Sequence, residues 1–177
     1  MSIDEFLRYM QASPLHRTFY HFTDTRNLPL IQEHGILSRK RMERAKIDIP
    51  APGGNNWSME ADARAGMDEY VHLCFKTDNA MEYVARRDGR IKEVIYLQIR
   101  PDVIKLPGAQ ITTDVANKAG VVPGPVLEML STLDHQVLYR RTDWHDETIK
   151  ERLKAADKCE ILIPNHVPLP YILNVNG

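Results

Sequence analysis

Residues 20–38 read YHFTDTRNLPLIQEHGILS, and a histidine and a threonine stand two apart where an extended run gives way to a helix. Arg17 to Phe22 carries the aromatic and β-branched residues of a strand. Thr25 is placed to cap the helix that follows, whose Leu28, Ile31 and Gln32 share one face. Gly35 is its C-terminal stop, after which Ile36 and Leu37 turn inward. What the polar pair His21 and Thr23 meets at this exit depends on the rest of the chain. The segment that matters most is KCEILIPNHVPLPYI, residues 158–172.

Upstream, Ser2 and Glu5 form a capping box for a short helix to about Met10, and Pro14 ends any continuation. Downstream comes RKRMERAK, residues 39–46, with five basic positions in eight, and then the loop IPAPGGNN. Ser58 is expected to cap the helix SMEADARAG, which Gly66 ends. Tyr70 to Phe75, YVHLCF, is a strand. Asp78 caps a helix to about Arg87, Asp88-Gly89 is a turn, and Glu93 to Arg100 is another strand. Pro107, Gly108, Gly120, Pro123, Gly124 and Pro125 break residues 101–135 into short helices and loops. Residues 143–156 read as helix, and Cys159–Ile163 and Tyr171–Val175 as two final strands. This order predicts an α+β fold with a mixed, split central sheet flanked by short helices. Neither a G-x-G-x-x-G after a strand nor a P-loop occurs, so Rossmann and P-loop readings are poor.

The chain has 177 residues, 43% hydrophobic and 27% charged, as expected of a single globular domain over residues 1–177. A formal net charge of -1 exerts no global pull on nucleic acid, so any such partner needs a local patch. Cys74 and Cys159 make no disulfide framework and read as small core residues. MSIDEFLRYM lacks the basic start and apolar run of a signal peptide, and no stretch approaches a membrane span. The expected compartment is the cytoplasm, without membrane partners.

Seven histidines raise the question of a metal. None lies in H-E-x-x-H, the cysteines lack C-x-x-C spacing, and His16 and His21 are expected on opposite faces, so no metal is expected. There is no G-x-S-x-G elbow, and His145, Asp146 and Glu147 are adjacent helical residues that face different ways. RKRMERAK is either a solvated face or a strip that contacts phosphates through Arg39, Lys40, Arg41 and Arg44. Trp57 either anchors its loop on the core or stacks on a base. Glu160 lies inside an apolar strand, where a carboxylate is costly unless paired. It is therefore ion-paired for structure, or it works.

YHFTDTRNLPLIQEHGILS, DEYVHLCFKTDNAMEY and KCEILIPNHVPLPYI, in that order and spacing, resemble the DarT family of NAD+-dependent toxins that ADP-ribosylate DNA bases. The resemblance covers roughly residues 18–175 and implies an ADP-ribosyltransferase-like fold. It implies that His21, Phe22, Thr23, Asn27 and Phe75 hold NAD+, and that Glu160 is the catalytic carboxylate. It also implies an arginine before the YV strand, with Arg64 the first choice and Arg44 the second. NAD+ is then the substrate, single-stranded DNA the acceptor, and an antitoxin (a hydrolase of the modification, or an inhibitor) the partner. An RNA or protein acceptor, or a non-catalytic binding module, are the competing readings.

Overall fold

The computed structural model describes residues 1–77 and 80–176. Its strands are β1 (Phe19–Asp24), β2 (Ile36–Leu37), β3 (Tyr70–Cys74), β4 (Val94–Ile99), β5 (Gln110–Thr112), β6 (Gly124–Pro125), β7 (Glu160–Pro164) and β8 (His166–Val167). The α-helices are α1 (Ile3–Gln11), α2 (Leu28–His34), α3 (Arg39–Ala45), α4 (Asn56–Ala65), α5 (Ala80–Arg87), α6 (Val126–Met129), α7 (His135–Tyr139) and α8 (Glu147–Ala156). Asp78, the expected cap of α5, lies outside the described residues.

Six strands form one sheet in the order β4-β1-β3-β7-β5-β6, and β2 pairs with β8 in a second. The α+β class holds, but the registered pairs are antiparallel throughout rather than mixed. β1 runs against β4 from Phe19↔Ile99 to Asp24↔Val94, and β3 against β7 from Tyr70↔Pro164 to Cys74↔Glu160. Between these two ribbons, β1 is registered on β3 at Tyr20↔Cys74 alone. Past that pair the strands part, so the central sheet is split between β1 and β3.

One face of the sheet is the core. Phe19, Leu73, Leu97, Ile99, Ile111, Ile161 and Ile163 are buried there, covered by Phe6 and Met10 of α1 and Leu138 and Tyr139 of α7. Each large side chain removed from water contributes about 1.5–3 kcal/mol. The capping box of α1 is present: Glu5 N donates to Ser2 Oγ at 3.2 Å and Ser2 N to Glu5 Oε2 at 2.6 Å. Ile161, Leu162 and Ile163 are all buried, so β7 is covered on both faces, and Glu160 enters the sheet at its first position.

Several local expectations shift. Asp24, not Thr25, caps the turn after β1, and Asn55, not Ser58, caps α4. The Asp24 carboxylate is fully buried, and it accepts from Arg26 Nε at 2.7 Å and from Lys92 N at 2.7 Å. Those bonds, the Arg26 guanidinium first among them, hold its carboxyl far below the usual range. Residues 101–135 contain β5, a short strand that reading them as helices and loops overlooks. Tyr171–Val175 is not a regular strand: Leu169–Tyr171 is a 3-10 turn, and the segment meets β4 at the isolated bridge Ile99↔Ile172, through the Leu173 amide donating to the Gln98 carbonyl, and through the Asn174 side chain. Pro168 and Pro170, with φ fixed by their rings, favour the 3-10 turn over an extended start.

Candidate active site

Glu160 and Cys74 are directly opposed across β7 and β3, as are Glu160 and Thr112 across β7 and β5. Directly opposed residues share a face, and His72 stands two positions from Cys74, so Glu160 and His72 rise from the same side of the sheet. His72 Nδ1 lies 3.3 Å from Glu160 Oε2, and the Ala116 amide donates to the same oxygen at 2.9 Å. Oε1 makes no hydrogen bond among the described residues. The carboxylate that the apolar strand demanded be paired is therefore paired through one oxygen only.

His21 stands in the split. Its Nδ1 lies 3.1 Å from the backbone carbonyl of His72, and a carbonyl only accepts, so Nδ1 carries the proton. Burial presses the His21 pKa below its ordinary value. The neutral ring then offers Nε2 as an acceptor. β1 and β7 flank β3, so His21 and Glu160 start about two strand spacings, roughly 10 Å, apart. His21 is registered on Leu97 of the core face and Glu160 on Cys74 of the other, so the two can meet one ligand only through the split, where His21 reaches the His72 carbonyl.

Thr23 and Asn27 are buried, and their bonds turn toward each other: Asn27 Nδ2 donates to Thr23 Oγ1 at 3.0 Å and to the Ala51 carbonyl at 2.8 Å. Ala51 N returns a bond to Asn27 Oδ1 at 3.0 Å. The pair thus clamps the proline-glycine loop beside half-buried Phe22. Phe75 is a core residue, 1% exposed and edge-on to Phe19 at 5.6 Å between ring centroids, which places packing where the resemblance implies contact with NAD+.

The structure gathers residues that the sequence reading missed. Asp62 of α4 accepts from Asn117 Nδ2 at 2.9 Å, which ties α4 to the loop bearing Ala116. Burial raises the Asp62 pKa, with His72, Glu160 and Arg39 all within electrostatic range. His72 was legible as a polar residue alternating with Val71 and Leu73. Nothing in the sequence pointed to Ala116, Asn117 or Asp62.

The arginines divide. Arg64 is exposed, about 200° round α4 from Asp62, with Nε donating to the Glu60 carbonyl of its own helix at 3.3 Å. Arg44 forms a fork onto Glu69 at 2.7 and 3.2 Å. Arg39 Nη1 donates to the Met59 carbonyl on α4 at 2.6 Å, and its charge reaches Asp62. Of the three, Arg39 is the one whose charge reaches Asp62, on the helix that leans on the site.

A family model described as ssDNA thymidine ADP-ribosyltransferase, DarT, matches residues 20–176. The chain belongs to the DarT family. Among curated protein sequences none matches. The fold resembles that of Thermus sp. 2.9 DarT in complex with ADP-ribosylated ssDNA, with TM-score 0.66 and 18% identity over 87% of this chain and 78% of that one. It also resembles Thermosipho africanus DarTG in complex with ADP-ribose, with TM-score 0.65 and 20% identity over 88% of this chain. The chain spans 42% of that DarTG chain. A structure of Thermus sp. 2.9 DarT in complex with NAD+ aligns with TM-score 0.56 and 18% identity, over 87% of this chain and 78% of that one.

In this DarT family member the basic strip is helical, and its side chains are partnered by Glu43 within it and by residues from the turn before β3 and from β8. Arg39 pairs with Glu43 at 3.0 Å, and Lys40 lies 3.8 Å from Glu43 and 3.9 Å from Asp68. Arg44 pairs with Glu69, and Arg41 Nη1 donates to His166 Nδ1 at 2.7 Å. Apart from that of the buried Asp68, these pairs are exposed and contribute about 0–1 kcal/mol each, so a phosphate can displace Glu43 and Glu69. Trp57, in the first turn of α4, is 71% exposed and so does not anchor its loop on the core. Asp146 caps α8 by accepting from Thr148 N at 2.8 Å and Ile149 N at 3.1 Å, which accounts for the His145-Asp146-Glu147 run. Among the described residues no group of three or more His, Cys, Asp or Glu could hold a metal, and no helix is long and apolar enough to cross a membrane.

Proposed function

We propose that this chain transfers ADP-ribose from NAD+ to thymidine in single-stranded DNA, in the cytoplasm, as the toxin of a pair whose antitoxin removes the modification or blocks the site. The observation that carries the reading is Glu160, held through Oε2 at the edge of an apolar strand while Oε1 is left for a ligand. Membership of the DarT family supports the reaction class, and the likeness to DarT and DarTG chains supports the fold it needs.

The bond between nicotinamide and ribose breaks through an oxocarbenium-like state, with positive charge on the anomeric carbon. Glu160 Oε1 stabilises that charge and grips a ribose hydroxyl, and the dry setting of β7 strengthens the field. Nicotinamide leaves with the bonding electron pair as a neutral amide. The base nitrogen then bonds to the anomeric carbon and gives its proton to the carboxylate. His21 Nε2 accepts from a ribose hydroxyl or the carboxamide, with Phe22 beside it. Thr23 and Asn27 serve NAD+ indirectly by fixing the loop at Ala51. Arg39 supplies the planar cation for a phosphate or base oxygen, and with Lys40, Arg41 and Arg44 follows the DNA backbone. Trp57 is exposed as a stacking platform for a base.

Incubation with NAD+ and single-stranded oligonucleotides tests the reading. A mass gain of one ADP-ribose is expected on oligonucleotides containing thymidine, and none on the same strand lacking thymidine or locked in a duplex, where the base is stacked away. Modification of RNA or protein in preference to DNA, or of no acceptor at all, would contradict it.

A further inference from the structure

The catalytic scheme gives no role to the His72 side chain, yet its imidazole lies directly against the Glu160 carboxylate. The ring sits between two acceptors: Nδ1 is 3.3 Å from Glu160 Oε2, and Nε2 is 3.1 Å from the Met67 carbonyl. An ionised carboxylate and a carbonyl both only accept, while a neutral imidazole has a single N–H. Both contacts are made at once by the doubly protonated ring. The charged groups facing it agree. Glu160 on β7 and Asp62 on α4 are acids within range, His21 on β1 is kept neutral by burial, and the cation Arg39 bears on Asp62 rather than on His72. Burial works against the charge, but the Glu160 and Asp62 carboxylates and the Met67 carbonyl outweigh it and lift the pKa to about 9.

We propose that His72 acts as an imidazolium that positions the catalytic carboxylate, clamping Glu160 Oε2 together with the Ala116 amide so that Oε1 is the oxygen presented to the ribose. The proposal rests on the reading of Glu160 as the catalytic group. The same residue orients the other side of the split, because its backbone carbonyl fixes the His21 tautomer. His72 itself is held by Met67, in the 3-10 turn Met67–Glu69 that leads into β3. A ring tied to a backbone carbonyl at one end and to a carboxylate at the other transmits the geometry of the sheet to a single oxygen atom.

A role confined to holding the fold would change stability and leave the pH profile of turnover alone. His72→Asn keeps an amide nitrogen that can donate to Oε2 but has no titrating proton. At saturating NAD+ this variant is expected to stay within about tenfold of wild-type kcat. It is also expected to lack the alkaline decline expected of wild type as pH rises through about 9. His72→Leu, with no donor, is expected to lose roughly 10- to 100-fold in kcat with little change in KM for NAD+. Because the folded pKa lies above the ordinary histidine value of 6.5, the stabilisation from His72 is complete below that value and is lost as pH rises through about 9.

Nitrogen-15 NMR of wild type needs no variant and should show both His72 ring nitrogens protonated near neutral pH. A neutral single tautomer there would overturn the inference. So would a folded His72→Leu with wild-type kcat and an unaltered alkaline limb. If that variant is fully active while Glu160→Gln is dead, the inference fails and the reading of Glu160 stands. If Glu160→Gln is itself active, the reading of Glu160 fails.

Discussion

Glu160→Gln is expected to lower kcat for ADP-ribosyl transfer by about 10²- to 10³-fold, on the order of 3–4 kcal/mol in the barrier, with the fold intact. The substitution preserves shape and keeps an acceptor for the Ala116 amide, so it removes the charge that faces the ribose and, with it, the charge partner of His72. Charge matters here because the group it faces is cationic only in the transition state. A contact of that kind appears in kcat rather than in KM for NAD+. The β7 environment enlarges the effect, since Ile161, Leu162 and Ile163 exclude water from the strand that carries the carboxylate. Stability should fall modestly, because the His72 imidazolium loses its partner carboxylate and is expected to give up its second proton at a lower pH. Single-turnover rates with a radiolabelled NAD+ and a thymidine oligonucleotide measure the difference directly.

Gly35→Ala is expected to be the most damaging small substitution for stability, at about 3–5 kcal/mol. Gly35 ends α2 with φ 72° and ψ -168°, a backbone region open in practice to glycine alone. An added Cβ would also press into the Val167 carbonyl oxygen, which is backbone and cannot swing aside. Val167 pairs with Ile36 in the β2–β8 ribbon, one turn beyond the end of β7. The melting temperature should drop by roughly 10 °C. Gly66 supplies the internal control: its φ is 71°, but nothing lies within 4 Å of an added Cβ, so Gly66→Ala should cost about 1 kcal/mol.

The parts of the molecule legible in the sequence are those whose signals are local. The apolar alternation of YVHLCF, the unbroken run ILI after Glu160, the Ser2–Glu5 box and the Gly35 stop each depend on residues within a few positions of one another. The isolated carboxylate in β7 was readable for the same reason, because its cost is set by its immediate neighbours. Neighbouring candidates compete more closely, and the caps show it. Asp24 displaced Thr25, and Asn55 displaced Ser58, since any of these side chains can accept from a backbone amide two or three residues on.

What stayed hidden depends on distance along the chain. β5 is three residues long, too short for a period to show, and it becomes a strand because β7 offers it an edge. The Asn27–Ala51 clamp spans 24 positions and the Glu160–Ala116 bond 44. No local pattern encodes either. The basic strip misled in the same way, because the acids that match Lys40 and Arg44, Asp68 and Glu69, arrive from the turn before β3. The choice among arginines likewise turned on helix phase. Asp62 and Arg64 are close in sequence but on different sides of α4, and the arginine that reaches α4 near Asp62 comes from α3.

The central claim is that one sugar is held from both sides of the split sheet. A crystal structure of this chain with a non-cleavable NAD+ analogue tests it most directly. The account predicts nicotinamide ribose in the gap between β1 and β3, a hydroxyl within hydrogen-bond distance of Glu160 Oε1, and His21 Nε2 accepting from the same half of the dinucleotide. An analogue seated elsewhere on the surface, with Glu160 and His21 untouched, would contradict it.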